Sequence, residues 1–306
     1  MSVLAALIGV LGGLLAAPLL PGAIQSLKAR LQGRRGPSPL QPYRELRRLW
    51  GKSIVDPEPT TIVYRLAPCV FAAATGLAIL LVPIGGIAGG WGLGDDALVL
   101  VGLLALGRFA LALASWDTGA GFGLMGVSRE LTLAVAAEAL LVLAIVLAAV
   151  PAGSTGLAAM SAAAGGSGIW SEPAHWCGAA AFGLVLLFET GRQPIDNPDT
   201  HLELTMIHEG PLLEYAGRDL ALLQWAAAAR HWIVLVLAAE LFLPHGGGFG
   251  AQLAFLAVGV GALCLGLALT ETAQAKMRVL RAPALLAGGC LLALVGLASW
   301  LFGGLA

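Results

Sequence analysis

The stretch Leu131–Val150 reads LTLAVAAEALLVLAIVLAAV and contains a single charged residue, Glu138. A membrane-spanning α-helix needs about 20 mostly apolar residues, and this stretch has that length and composition. An ionised side chain at the centre of such a helix costs at least about 2.5 kcal/mol on insertion scales. The stretch therefore predicts a transmembrane helix, and Glu138 predicts a paired or functional group within it.

Seven further apolar stretches occupy most of the remaining chain. The protein is 58% hydrophobic and only 11% charged, whereas soluble domains contain about 25% charged residues. We predict an all-α integral membrane protein, a bundle of about eight transmembrane helices with cytoplasmic amphipathic segments, in a single transmembrane domain over residues 1–306. The predicted spans are Val3–Ala23, Ile62–Ile84, Ala97–Ser115, Leu131–Val150, Ala174–Phe188, Leu220–Leu243, Ala251–Thr270 and Pro283–Phe302.

The distribution of lysine and arginine predicts the orientation. Residues 25–52 form a strongly basic segment between the first two spans, whereas residues 85–96, 151–173 and 244–250 contain no lysine or arginine. Basic loops stay in the cytoplasm. We therefore predict that segment 25–52 faces the cytoplasm and that both termini lie outside. The net charge of −1 does not indicate a nucleic-acid partner; the lipid bilayer is the partner that composition predicts.

The cysteines and histidines do not form a recognisable metal motif. The four cysteines lie far apart within spans, with no CxxC pair, so the sequence predicts no iron–sulfur or structural zinc site in this chain. His208-Glu209 would need a second histidine at position 212 to match a zinc-protease helix, and that residue is Leu212.

The basic segment 25–52 leaves two interpretations open. Gly33, Gly36 and Pro37 predict a tight turn, and an amphipathic helix follows Pro42, with Tyr43, Leu46, Leu49 and Trp50 on its apolar face. It is either an interfacial helix at anionic headgroups or a docking surface for a partner protein. The docking candidates are Arg34, Arg35, Gly36, Pro37 and Tyr43.

A second cytoplasmic segment, residues 189–219, is acidic. It carries seven carboxylates against two arginines, together with apolar residues that imply burial. Thr200 and Glu203 have the spacing of a capping box, which predicts a short helix ending near Gly210. Buried carboxylates need cationic partners or share protons. The proton-path candidates here are Glu189, Arg192, Asp196, Glu203, Glu209 and Glu214.

Charges within the spans extend this prediction. Arg108 lies about as deep in the third span as Glu138 does in the fourth, and Arg129 and Glu130 precede the fourth span. One interpretation is a structural ion pair; the other is a hydrated path reached from the acidic segment, in which neighbouring groups titrate together. Glu240, near the outer end of the sixth span, is expected at the membrane interface.

Several short motifs together resemble one protein family. They are Arg34-Arg35-Gly36-Pro37, Leu40-Gln41-Pro42-Tyr43, Ser115-Trp116-Asp117-Thr118-Gly119, Ser128-Arg129-Glu130, Glu189-Thr190-Gly191-Arg192 with Pro194 and Asp196, and residues 209–217. The chain resembles, over nearly its whole length, the membrane subunit of formate-hydrogenlyase-type NiFe hydrogenases, which is similar to subunit 1 of respiratory complex I.

The resemblance implies a non-catalytic subunit of the cytoplasmic membrane of a bacterium or archaeon. Such a subunit joins a peripheral arm, with its large subunit and iron–sulfur small subunit, to antiporter-like membrane subunits. The NiFe centre and the iron–sulfur clusters are then expected in the partners and not in this chain. It would couple electron transfer in the arm to ion movement. In complex I the corresponding subunit forms much of the quinone chamber, so a quinone-chamber subunit of a respiratory dehydrogenase is the alternative.

One departure from complex I favours the hydrogenase branch. Where complex I has a dense acidic run, this chain has Asn197-Pro198-Asp199-Thr200-His201-Leu202-Glu203. A stand-alone secondary transporter is a third alternative. Such transporters are built from repeats with broken spans in corresponding halves, and the sequence shows no evident repeat of that kind.

Overall fold

The computed structural model describes residues 2–58, 60–86, 95–196 and 207–303. Those residues form α-helices and short 3₁₀ helices and contain no strand, which confirms the all-α prediction. The α-helices are α1 (Ser2–Ala16), α2 (Leu19–Leu31), α3 (Gln41–Trp50), α4 (Ile62–Leu81), α5 (Ala97–Thr118), α6 (Gly121–Ala152), α7 (Leu157–Ala164), α8 (Pro173–Glu189), α9 (Gly217–Phe242), α10 (Phe249–Ala273) and α11 (Ala282–Gly303). The 3₁₀ helices are Ser167–Ser171, Gly210–Leu212 and Val279–Arg281.

The spanning helices agree with the predicted bundle. Within the described residues, six helices are long and apolar enough to cross a membrane, or seven if α1 and α2 form one bent span. The remaining predicted span is α8, an apolar helix of 17 residues. The predicted number of about eight is therefore approximate.

Two predicted spans differ from the observed helices. The first is broken: α1 and α2 meet at an angle of 50°, because Pro18 has no amide hydrogen to continue the helix. The fourth begins well before Leu131, since α6 starts at Gly121 and runs for 32 residues. Glu130 is therefore part of a helix and not of a loop.

Helix α9 lies at the centre of the bundle. It packs against α3, α4, α8 and α10 among others, and residues 232–242 are buried throughout. Helices α10 and α11 lie at the periphery, with 22% of the residues of each apolar stretch buried. Because α9 carries Arg230 at its middle and Glu240 near its C-terminal end, the buried apolar residues 232–239 separate these two charged residues. Glu240 was expected at the membrane interface, but the structure buries it, with 3% exposed.

The amphipathic helix forms as predicted and covers one end of the bundle, here called the basic face. Leu49 is buried, whereas Arg44, Arg47 and Arg48 are exposed. Trp50, the last residue of α3, is also on the predicted apolar face and is 55% exposed. The opposite end, formed by residues 82–86, 95–96, 153–172 and 243–248, is called the distal face.

The tight turn before α3 is also confirmed. Gly33 has a φ of +71°, a backbone conformation that favours glycine. A Cβ at Gly36 would lie 2.5 Å from the Cβ of Ala29, so α2 and the turn touch. The helix predicted from Thr200 and Glu203 lies mostly outside the described residues; residues 207–209, at its predicted end, are not helical.

Candidate functional site

Arg108 is the centre of a buried group of charges. It lies on α5 with 4% of its surface exposed. Its Nη2 atom is 2.6 Å from Glu189 Oε1, its Nε is 3.6 Å from Glu130 Oε1, and its Nη1 contacts the carboxylate of Glu138. One arginine therefore joins carboxylates from α6 and α8.

Glu189 is shared between two arginines. Its second oxygen, Oε2, lies 2.6 Å from Nη2 of Arg230 on α9, and Arg230 also donates from Nη1 to the carbonyl of Leu104 at 3.3 Å. Buried carboxylates are tolerated when they are paired and hydrogen-bonded in this way. Glu189, predicted as a member of a loop, is in fact the last residue of α8.

His208 completes this group from the acidic segment. Its Nδ1 lies 3.5 Å from Glu130 Oε1, and its Nε2 lies 2.9 Å from the carbonyl oxygen of Phe188. Burial alone would lower the pKa of His208, but the hydrogen bond and charge of Glu130, with the charges of Asp196 and Glu189, raise it above its ordinary value. Protonation lets both ring nitrogens donate to the oxygens that they face.

These residues form a set with balanced charge. When His208 is protonated, three cations face three carboxylates. The set is called the inner charge cluster: Arg108, Glu130, Glu138, Glu189, His208 and Arg230. The Glu138 side chain is 36% exposed, whereas that of Glu189 is 3% exposed. Glu138 is thus the member that reaches the lateral surface of the chain.

A second charge cluster lies beside the inner one. The Glu271 side chain on α10 is fully buried, 3.0 Å from Nη1 of Arg192 and 3.4 Å from Nζ of Lys28. Asp196 lies 3.4 Å from Nζ of Lys276. Arg192 and Asp196 were predicted in one path with the other acids; their direct partners are Glu271 and Lys276, and both residues line the cavity described below.

The remaining predicted residues lie around the two clusters. Arg129 is half-buried on α6, and Glu209 lines the cavity described below. The backbone carbonyl of Glu214 accepts from the Tyr64 hydroxyl at 2.7 Å. Glu203 lies outside the described residues. The docking candidates Arg34, Arg35, Gly36 and Pro37 are exposed, whereas the Tyr43 hydroxyl donates to the carbonyl of Leu15 and its side chain is half-buried.

Five residues of these clusters were not predicted as site residues. His208 was considered only as part of a rejected zinc motif, and Lys28 only as part of the basic segment. Arg230, Glu271 and Lys276 were not singled out. An isolated charged residue in or beside an apolar stretch could have marked these residues as site candidates. Their partners could not be read from the sequence, because they lie far away along the chain; Arg192 and Glu271, for example, are 79 residues apart.

A cavity of about 590 Å³ touches both clusters. It lies between α2, α3, α9 and the described part of the acidic segment. Its charged and titratable lining includes Glu45, Glu130, Glu189, Arg192, Asp196, His208, Glu209, Arg230 and His231. Within the described ranges, no group of histidine, cysteine or acidic residues has the arrangement of a metal site. The cysteines there are free thiols.

The inner charge cluster is separated from the distal face by apolar packing. Between Arg230 and Glu240, helix α9 carries residues 232–239, all of them buried and apolar. At 1.5 Å per residue, the separation of the two charged residues along the helix is about 15 Å. The charges therefore occupy one half of the bundle.

Fold and site together define a polytopic membrane protein that holds a charge-balanced cluster beside a cavity at one face. The chain belongs to the NADH dehydrogenase family, whose model matches residues 3–301. The resemblance seen in the sequence motifs is thereby confirmed, and the chain is a membrane protein of that family.

Relatives from hydrogenase complexes cover most of the chain. It is 34% identical to hydrogenase-4 component C of Escherichia coli (strain K12) over 244 residues, which are 79% of this chain and 76% of the relative. It is 32% identical to formate hydrogenlyase subunit 4 of the same organism over 295 residues, 91% of this chain and 92% of the relative. It is 28% identical to an NADH-quinone oxidoreductase subunit of Rhodopseudomonas palustris over 264 residues, 78% of this chain and 80% of the relative.

A solved structure has the same fold. A chain of the membrane-bound sulfane sulfur reductase, an archaeal respiratory membrane complex, matches with a TM-score of 0.81 and 23% identity. The match covers 96% of this chain and 97% of the other.

Proposed function

We propose that this chain is the membrane-anchoring and coupling subunit of a hydrogenase-like or complex-I-like respiratory complex. It would link electron transfer in a peripheral arm to proton translocation in the membrane. The observation that carries the proposal is the inner charge cluster, which is buried, balanced in charge and open to the lateral surface at Glu138. The hydrogenase relatives support the type of complex.

The cluster suits a coupling role because its charged members are in direct contact. Arg108 binds three carboxylates and Glu189 binds two arginines, so a change of charge at one residue changes the electrostatic energy of the others. A charge or ligand that enters the neighbouring cavity would contact the cluster directly, since Glu130, Glu189 and His208 all line this cavity. A charge or ligand arriving there from the peripheral arm would shift the cluster.

The geometry favours transfer of the proton from the cluster, in the plane of the membrane, to a neighbouring subunit. The apolar residues 232–239 of α9 offer no groups to carry a proton towards the distal face. Glu138 is 36% exposed on its side chain, and an ionised carboxylate facing lipid at that depth is costly. We therefore place an antiporter-like membrane subunit against the face of α6 that carries Glu138.

We propose that the peripheral arm docks at the basic face. The turn from Gly33 to Pro37 projects from the bundle with Arg34 and Arg35 exposed, where their guanidinium groups can bind carboxylates of a partner. The large subunit and the iron–sulfur small subunit, with the NiFe centre and the clusters, would dock there. In this arrangement the present chain contributes charge coupling, and its partners contribute redox chemistry.

A quinone-chamber subunit is the second candidate, and the cavity is the observation that favours it. Its volume of about 590 Å³ lies within the range of roughly 300–1,000 Å³ typical of small-molecule sites. Its lining combines apolar residues such as Phe71 and Leu111 with the charged residues named above. Such a lining would hold a ring with polar substituents and an apolar tail.

Purification of the full chain in mild detergent separates these functions. Co-purifying nickel and iron–sulfur subunits, with quinone well below one equivalent in the extracted lipids, support the first proposal. About one equivalent of tightly bound quinone supports the second. A chain that purifies alone, from membranes in which the neighbouring redox subunits are intact, contradicts both and supports a stand-alone transporter.

A further inference from the structure

The break in the first span frees backbone carbonyls from their helical partners. In an unbroken α-helix each carbonyl accepts from the amide four residues further along the chain. Pro18 has no amide hydrogen, so the carbonyl of Leu14 loses its donor. After the proline, the amide of Leu20 donates to the carbonyl of Ala17 at 3.3 Å, which tightens the chain locally. A break within a membrane is tolerated when neighbouring groups bind the carbonyls that it frees.

Two side chains from other helices bind these carbonyls. Nε1 of Trp225 on α9 donates to the carbonyl of Leu14 at 3.2 Å, and the Tyr43 hydroxyl on α3 donates to the carbonyl of Leu15. Burial raises the pKa of that hydroxyl, and a hydrogen bond with the backbone of Leu19 acts against this increase. Leu15 and Leu19 would bond to each other in a continuous helix, so the hydroxyl occupies the gap between them.

The break and the two helices that supply these donors also surround the cavity. The break contributes Pro18 and Pro21 to the lining, α3 contributes Pro42, and α9 contributes Gln224. The two donor residues directly follow Pro42 and Gln224 in the sequence. A change in the angle of the break therefore moves one wall of the cavity relative to the other two.

The two halves of the first span are attached to different parts of the bundle. Helix α1 packs against α4 and α9, whereas α2 packs mainly against α10. On α1 the close approach is at Gly13, where a Cβ would lie 2.8 Å from a methyl group of Ile79. Leu11 and Leu15, by contrast, are 54% and 67% exposed. The donors from α3 and α9 thus act at the point where the two differently anchored halves join.

We propose that the break is a hinge, and that Tyr43 and Trp225 are the positioning residues that set its angle and hold the adjoining wall of the cavity. Loss of either donor leaves a carbonyl unsatisfied, so α1 moves more freely about Pro18 and the cavity becomes more accessible. A shift of α3 moves Tyr43 and reaches the cavity through the same hinge. A partner docked on the turn before α3 would act in this way; that step rests on the proposed function, whereas the hinge is a property of the chain alone.

A distance between two spin labels tests the hinge. Leu11→Cys on α1 and Val135→Cys on α6 replace residues that are 54% and 75% exposed, in a variant whose native cysteines are alanine. Double electron–electron resonance on the full chain in nanodiscs gives the width of the distance distribution. Trp225→Phe and Tyr43→Phe keep an aromatic ring and remove the donor, so each should broaden the distribution at least about twofold. Trp116→Phe, at a tryptophan that is 53% exposed, is the matched control and should leave the width unchanged.

Restoring the missing amide separates a hinge from a general loss of packing. Pro18→Ala supplies a donor for the carbonyl of Leu14, so its combination with Trp225→Phe should return the distribution to the width of the parent. A packing defect at residue 225 would not be repaired by a change at residue 18. An unchanged width in Trp225→Phe or in Tyr43→Phe, or no recovery with Pro18→Ala, would contradict the proposal.

The reactivity of a cysteine in the cavity tests the link between the hinge and the cavity wall. Ala227→Cys lies in the lining and should react with a bulky maleimide at least about threefold faster when Tyr43→Phe is also present. Ala275→Cys, exposed at the basic face, is the control and should react at the same rate in both backgrounds. Equal rates at residue 227 would overturn the link. Both measurements use the chain without partners, so a failure of arm docking would leave their results unchanged.

Discussion

At the residue scale, Arg108 is the residue on which the buried charges depend. It is 4% exposed and contacts carboxylates from two helices. Arg65, by contrast, pairs with Asp56 while 62% of its side chain is exposed. Burial makes the difference, because exposed pairs contribute about 0–1 kcal/mol, whereas breaking a buried pair leaves charges without compensation.

Arg108→Gln is expected to destabilise the protein severely. It would leave three carboxylates with Arg230 and His208 as their remaining cationic partners, at a cost of roughly 3–5 kcal/mol. The matched variant Arg65→Gln should change stability by less than about 1 kcal/mol. Yield and thermal stability of both variants in the same detergent check the prediction. Equal loss in the two variants would show that burial of Arg108 is not decisive.

The pH dependence of stability should report on His208. Its pKa in the folded protein is raised, so its contribution is fully present below the unfolded value, about 6.5. That contribution is lost as the pH rises through the folded value. The melting temperature of the parent should therefore exceed that of His208→Gln by about 2 °C or more at pH 6, and the difference should shrink at alkaline pH. A difference that stays constant with pH would contradict this assignment.

At the scale of the element, the turn before α3 presents two arginines on a rigid base. Gly33 adopts a positive φ, and the amide of Arg34 donates to the carbonyl of Ala29 at 2.9 Å. A Cβ at Gly22 would collide with the carbonyl oxygen of Pro39, so α2 and the residues before α3 are in close contact. The contacts of the turn with α2 thus hold it in a defined position at the basic face.

Reversing the charge of this turn should detach the peripheral arm. Arg34→Glu with Arg35→Glu would replace attraction to partner carboxylates by repulsion, while insertion of the helices remains normal. Arg44→Glu with Arg47→Glu, which alters exposed residues of α3, is the matched control and should leave the arm bound. The amount of peripheral subunit that co-purifies at physiological salt is the measurement. If the arm stays bound to the first variant, the turn serves only as a headgroup anchor.

Elements could be predicted from the sequence more fully than pairings. The lengths of the apolar stretches predicted the spanning helices, and the turn residues with the amphipathic pattern predicted α3. Each of these patterns lies within one continuous stretch of the chain. Pro18 indicated an interruption at the end of the first span, where the helix breaks. The early start of α6 was missed, because Ser128, Arg129 and Glu130 are polar and still helical. The pairing of Arg108 with Glu138 could be predicted because the two residues lie at a similar depth in their spans. The pairing of Glu189 with Arg230 could not, since nothing in either stretch specifies a partner on another helix.

At the scale of the whole molecule, the two ends of the bundle differ in charge. The basic segment, the cavity and both charge clusters lie at one face, whereas the described residues of the distal face include no lysine or arginine. From the positive-inside tendency we predict that the basic face lies in the cytoplasm. This orientation would determine from which side a proton reaches the inner charge cluster.

Cysteine labelling tests this orientation directly. A cysteine at Ser38, on the basic face, should react with a membrane-impermeant maleimide only after permeabilisation. A cysteine at Ser154, exposed on the distal face, should react in intact cells. The native cysteines are replaced by alanine in both variants, because Cys69 is exposed. Free reaction at Ser38 in intact cells would reverse the orientation.

The central claim is that the inner charge cluster couples redox chemistry to proton movement, and Glu138→Gln tests it most directly. Glutamine keeps the volume of the side chain but cannot take up and release a proton. Arg108 would still contact Glu130 and Glu189, so the complex should assemble. Glu58→Gln, at an exposed acidic residue, is the control.

Proton uptake in proteoliposomes is the measurement, together with complex yield on a native gel and turnover with an artificial acceptor. We expect normal yield and normal turnover of Glu138→Gln, with proton uptake reduced at least about tenfold, as for the loss of a proton-transferring group. Normal yield with normal proton uptake would contradict the account. Lost yield would contradict it as well, because Glu138 would then be a structural partner of Arg108.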